Sequence, residues 1–432
     1  LKRTLSSIFV FILLAAALVS CGGSSKRPTT SGLKFRAFVS NPLNPTFTGA
    51  IFPALNIIDT THDVLSPFDV SLTGTTASAG MMIETPQRDR TLVFSPTTNF
   101  SSSNVLGIVN NSSESAAGSV TLPGPTESMF VASDNKTVYA AIPTAPQTGL
   151  PAGAVVRIDL SASTPGINAT IPIAGAHYLV PSADGNTILA LSDTANSVSV
   201  ISTGLISSGG GVMTLSGFDR PAWAVFSSDG TTAYVMNCGP ECGGFTASIA
   251  VVDLTQNPPV ISSTVPVPAA TMGLISGGTL YVAGTPPTSG VDCQANLCGV
   301  LTELSTADLT APATTLAITD GYHDRMVLAQ NNQLFIGSRT CTNVIANGSS
   351  AGRGCLSMLN IAGGSVYTAA QNGDVTGIQP ITGRSVVYIC EGGALQIYDT
   401  TKDLGSQNQL QLQSTQVAIT GQAIDVKLAD FD

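Results

Sequence analysis

Three histidines, eight cysteines and a thin scatter of acids are the side chains of this 432-residue chain on which chemistry could rest. His177 and His323 each stand just ahead of a short apolar segment, and Glu127, Arg220, Asp324 and Gln422 occupy comparable positions. Gathered in one place, imidazole, carboxylate, guanidinium and amide would make a small-ligand site or a general acid–base set. Yet no nucleophile stands beside a base, and no His or Cys spacing suits a metal ion. The plainer account, preferred here, has each of these side chains capping its own loop or meeting water. Catalytic residues therefore stay unassigned, and neither a metal nor a cofactor is implied.

The cysteines fall into local pairs. Cys238 and Cys242, Cys293 and Cys298, and Cys341 and Cys355 each bracket a loop. In an exported protein such pairs read as three disulfides; paired thiolates on a metal would need a reducing compartment and usually closer spacing. A short closed loop contributes about 2–3 kcal/mol, so these bridges would stiffen loops rather than hold the fold. Cys390 has no evident partner and is expected to be buried and inert.

The elements that must position these residues come from a repeat. Its clearest copy runs Pro221-Ala-Trp-Ala-Val-Phe-Ser-Ser-Asp-Gly-Thr-Thr-Ala-Tyr-Val-Met-Asn237, then a loop, then Ser248-Ile-Ala-Val-Val-Asp253. This is an apolar strand, an Asp-Gly turn, a second strand, a loop and a third strand ending on an acceptor. Third strands of this kind end at Asp59, Asn110, Asp159, Ser202, Asp253, Ser305, Asn360 and Asp399. A ring of acids could suggest metal or catalysis, but Ser and Asn replace Asp among the copies. The shared ability is to accept a backbone N–H two residues on and start a turn.

A period of about 50 residues holding four strands is the signature of a propeller blade. The Asp-Gly copies resemble the YVTN-type β-propeller repeat, closely around 221–265, fairly around 126–160 and 176–203, and loosely elsewhere. That resemblance implies an all-β, closed propeller, and the copies predict eight blades, with seven as the alternative. The first copy lacks an inner strand, and Ala423-Ile-Asp-Val-Lys-Leu-Ala429 can supply it from the C-terminal end, closing the ring. The same geometry puts His177, His323 and their companions at the channel mouth, on the face carrying the cysteine loops.

Lys2 and Arg3 precede an apolar run over Ile8–Leu18, too short to span a bilayer comfortably, which ends Leu18-Val-Ser-Cys21-Gly22. This is similar to a bacterial lipobox, which implies a signal peptide over 1–20, a lipidated (palmitate-bearing) Cys21 and an outer-membrane anchor. A Ser/Thr/Gly-rich tether follows within 21–33, leaving 34–432 as a single propeller domain. Charged residues make up only 10%, and a net charge of -10 argues against nucleic acid as a partner.

Two functions from different classes fit. The leading one is a non-enzymatic, lipid-anchored propeller of the cell envelope that binds an envelope protein or small ligand on its disulfide-pinned face. The alternative is a lactonase-like hydrolase with its site at the channel mouth, because such propellers resemble lactonases.

Overall fold

The computed structural model describes residues 29–430, apart from 47, 76, 96–102, 209–210, 288–296, 343–353, 370–372 and 402–412. Cys21 and the apolar run before it lie outside the described residues. The chain divides into Leu1–Gly32 and Leu33–Asp432. The second unit is a β-propeller of eight four-stranded antiparallel sheets.

Inner strands touch both neighbours all the way round, so the ring is complete. Blades 2 to 8 begin at inner strands Met81–Glu84, Ser128–Val131, Tyr178–Pro181, Pro221–Phe226, Met272–Ser276, Tyr322–Leu328 and Val375–Pro380. The inner strand of blade 1 is Val426–Leu428, which pairs with Arg36–Pro45 in the register Ala37 to Leu428 and Val39 to Val426. The C-terminal strand thus closes the ring as the sequence implies, and the blade number is eight.

The near-continuous apolar middle strands follow from this geometry. A strand presents alternate residues to opposite faces, and a blade is covered on both. In Thr137–Ile142, Val138, Ala140 and Ile142 pack toward blade 2, while Tyr139 and Ala141 pack toward blade 4. Repeated around the ring, this places one apolar core between each adjacent pair of blades. Each fully buried Leu or Ile contributes about 1.5–3 kcal/mol. Outer strands such as Ser115–Thr121 are mostly exposed and carry Ser, Ala and Thr instead.

The turns behave as their residues require. Gly185 and Gly230 sit at φ 70° and 71°, and Asn135 takes the same position at φ 62° in the Asp134-Asn135 copy. These are left-handed conformations that Gly and Asn adopt most readily. At the ends of third strands, Asp59, Asp159, Asp253 and Asp399 accept the N–H two residues on, at 2.7–2.9 Å. Their acidity therefore serves turns.

Two contacts lock the closure of the ring, one within blade 1 and one between blades 8 and 1. Arg36 N donates to Asp430 Oδ1 at 2.6 Å. At the same face, Arg384 and the Tyr388 hydroxyl of blade 8 both bond the carboxylate of Asp63 in blade 1.

Candidate functional site

The residues just ahead of, or at the start of, the inner strands ring one end of the channel, together with the loops between second and third strands. Glu127 and His177 meet there. Nε2 of His177 lies 3.4 Å from Glu127 Oε2, and its Nδ1 lies 3.3 Å from Asp193 Oδ1 in the adjacent loop. Burial alone would lower the imidazole's pKa. Hydrogen bonding and charge from Asp193 and Glu127 outweigh it and carry the group up to about 9. At neutral pH His177 is an imidazolium clamped between two carboxylates, a poor general base.

Tyr178 stacks on His177 at 4.1 Å between ring centroids. Its hydroxyl donates to Glu127 Oε2 at 3.5 Å, and Tyr322 enters the channel from blade 7. Burial pushes both phenols above their ordinary range, so both remain protonated.

Asp324 follows in blade 7. Arg339 Nε lies 2.7 Å from its Oδ2 and Arg325 Nη1 lies 3.3 Å from it. Burial would depress the Arg339 pKa, but the charges of Asp324 and Glu127 overcome that and raise it. Arg325 also reaches over the channel, its Nη2 lying 3.8 Å from Met81 Sδ in blade 2. Beside this group, burial raises the carboxyl of Glu241 to about 7 despite the Thr285 N–H it accepts.

Below these charges the inner strands enclose a cavity of about 380 Å³, within the range of small-ligand sites. Glu127 and Asp324 line it, as do Trp223, Met272, Tyr178 and Lys427. The other expected mouth residues stand elsewhere. Arg220 is half-buried at the rim, its Nη1 3.4 Å from the Asp193 carbonyl. Gln422 is at the seam of blades 8 and 1, where its N–H donates to Asn41 Oδ1.

His323 is not at the mouth. It is wholly buried, with Nε2 donating to the Thr319 carbonyl at 2.9 Å, and desolvation holds its pKa near 4. The reason is register. Blade 4 enters as His177-Tyr178, blade 7 as Tyr322-His323, so the tyrosines share the first inner position and the histidines do not. A bulge between His323 and Arg325 then places Asp324 on the cavity.

Among the described residues no three His, Cys, Asp or Glu side chains group to hold a metal ion. Around the mouth, Cys238 bonds Cys242 and Cys341 bonds Cys355. Cys298 is also disulfide-bonded, while Cys293 lies outside the described residues. Cys390 is a buried free thiol. The loop after Cys242 is further held by Asp219 Oδ2, which accepts the N–H of Phe245 and of Thr246 at 2.7 and 2.6 Å. That leaves the Phe245 ring 90% exposed on a fixed backbone.

Sequence reasoning passed over Tyr178, Tyr322, Arg325, Arg339, Asp193 and Glu241. One signal was available: Tyr adjoins His at both blade entrances.

No family model matches the chain, and no curated protein matches it. Solved structures do. A dihydro-heme d1 dehydrogenase in complex with DHE aligns with TM-score 0.60 at 11% identity, over 96% of this chain and 78% of that one. A functionally unknown protein from Desulfotomaculum acetoxidans aligns with TM-score 0.51 at 12% identity, over 92% and 100%. The periplasmic gluconolactonase of Pseudomonas aeruginosa aligns with TM-score 0.48 at 12% identity, over 91% and 98%. At such identities the likeness is one of fold, that of a β-propeller.

Proposed function

We propose that this chain is a YVTN-like binding propeller, anchored in the bacterial envelope by lipid on Cys21, that recognises its ligand or partner at the channel mouth and surrounding loops. One observation carries the reading: the histidine and the arginines of the mouth are held by its carboxylates. Glu127 and Asp193 hold His177, Asp324 holds Arg325 and Arg339, and the charge of Glu127 also acts on Arg339. A hydrolase needs a base free to take a proton, whereas paired charges on a rigid scaffold suit recognition. The stiffened loops lower the ordering entropy of binding, and Phe245 offers an aromatic anchor of the kind that dominates interfaces.

The test has two arms. Cys21→Ser is expected to move the protein from the membrane to the soluble fraction, and persistent anchoring would sink the lipid claim. Purified protein is expected to leave a panel of lactones unhydrolysed. Turnover that disappears in His177→Gln or Glu127→Gln would replace the binding reading with the hydrolase one.

A further inference from the structure

We propose that the central channel cavity binds a neutral small molecule with an aromatic body and a hydroxyl group that donates to Asp324 Oδ1. The inference deepens the small-ligand side of the binding reading and is independent of the lipid anchor. Three observations converge on it.

The first is charge balance. Glu127, Asp324 and Asp425 line the cavity, and so do Arg325, Arg339 and Lys427. These are ion-paired within the wall: Lys427 Nζ is 2.8 Å from Asp425 Oδ1, and both arginines hold Asp324. A ligand of either sign would bring an uncompensated charge into a desolvated space, which is strongly unfavourable. A neutral one would not.

The second is the character of the remaining wall. Met81, Met82, Met129 and Met272 alternate around it with Phe94, Phe130 and Trp223. Aromatic faces and thioethers both pack well against an aromatic ring. A polyhydroxylated ligand would instead demand many polar partners, and the wall's polar atoms are mostly spoken for. Asp425 Oδ2 accepts the Met82 N–H, Ser128 Oγ accepts the Leu179 N–H, and Arg325 Nε donates to the Thr376 carbonyl.

The third is a vacancy in that hydrogen-bond set. Among the described residues of the wall, Asp324 Oδ1 is the buried oxygen that accepts no hydrogen bond. The Asp324 side chain is only 10% exposed, so bulk water does not satisfy it. A buried acceptor left unmade is unfavourable by about 1–3 kcal/mol, and one donor from a ligand would remove that penalty.

A matched series tests the proposal: para-hydroxybenzyl alcohol, para-hydroxybenzylamine and para-hydroxybenzoate share one ring and differ in charge at about pH 7. Calorimetric titration of the full propeller is expected to show saturable binding of the alcohol, with both charged analogues at least tenfold weaker. Asp324→Asn is expected to weaken the alcohol about tenfold, as for one lost hydrogen bond to a charged group. Because that change also leaves two arginines unpaired, Ala222→Leu, which fills cavity space without touching a charge, is the second variant and is expected to abolish binding. Circular dichroism confirms that each variant is folded. No binding of the alcohol at millimolar concentration, tighter binding of an ion, tighter binding of glucose, or binding unchanged in both variants would each overturn the proposal. Failure here would leave the binding reading standing, since that one falls on lactone turnover instead.

Discussion

The Tyr178 hydroxyl of blade 4 donates to Glu127 Oε2 of blade 3 at 3.5 Å, on the wall of the central channel. This bond joins adjacent blades at the channel wall, where the apolar core between them joins them further out. Tyr178→Phe keeps the ring that stacks on His177 and removes the bond. It should lower stability by about 1 kcal/mol, read as a lower urea midpoint with an unchanged slope. An unchanged midpoint would mean that this bond carries no load.

His177 supplies a pH signature. Its folded pKa of about 9 stands above the ordinary 6.5. Its contribution is therefore fully present below pH 6.5 and is lost as pH rises through 9. The loss should be on the order of 2 kcal/mol, allowing for partial exposure of the ring. Unfolding at pH 6 and pH 10 measures it, and His177→Gln should flatten that part of the profile.

Buried carboxyls act in the same direction for a different reason. Desolvation lifts Glu391 from an ordinary 4.5 to about 8, even though the Tyr398 hydroxyl donates to it. A raised acid penalises the fold once the unfolded chain ionises, so stability declines from about pH 4.5 to pH 8 and then levels. Glu391→Gln should remove on the order of 3 kcal/mol of that decline. Stability curves of the two proteins that run parallel from pH 5 to pH 8 would contradict the assignment.

The thiol inventory gives a chemical check. Burial raises the Cys390 thiol well above its ordinary pKa, and Cys390 is the free cysteine among the described residues. A thiol reagent should find no reactive group in the native propeller unit Leu33–Asp432 and one after denaturation. Rapid labelling of the native form would show that the interior opens at blade 8.

The seam offers a mechanical test. Arg384→Ala leaves Asp63 and Tyr388 without their guanidinium, and breaking a partly buried pair of this kind should destabilise by about 2–3 kcal/mol. Arg384→Lys should restore only part of it, because one ammonium cannot bond both carboxylate oxygens. The comparison is made by thermal unfolding.

Much of this architecture is legible in the residues alone, because a repeat states the same local rule many times. Val138 and Tyr139 are adjacent apolar residues serving opposite cores, which is why the middle strands read as continuous hydrophobic runs. Asp253 and Ser305 are interchangeable because both accept a nearby N–H. The site is less legible. Whether a residue at a blade entrance points to the channel depends on a one-residue register choice, and that choice separates His177 from His323. The partners of Asp324 are likewise set by ring geometry: Arg339 reaches it from the end of the neighbouring strand, Arg325 from the next position along. Local pattern carries no term for such meetings, whereas the Cys238–Cys242 and Cys341–Cys355 pairs were readable because each closes its own loop.

Blade 1 is assembled from both ends of the domain, and Arg36 bonds a residue 394 positions away. During synthesis the first three strands of that blade must wait, with one edge unpaired, until nearly the whole polypeptide has emerged. Such high contact order makes the final docking slow. An open edge is also a template for pairing with another chain. Until Val426–Leu428 is delivered the protein can only be a partly open arc, and a nascent chain of this kind depends on being kept from its neighbours until then.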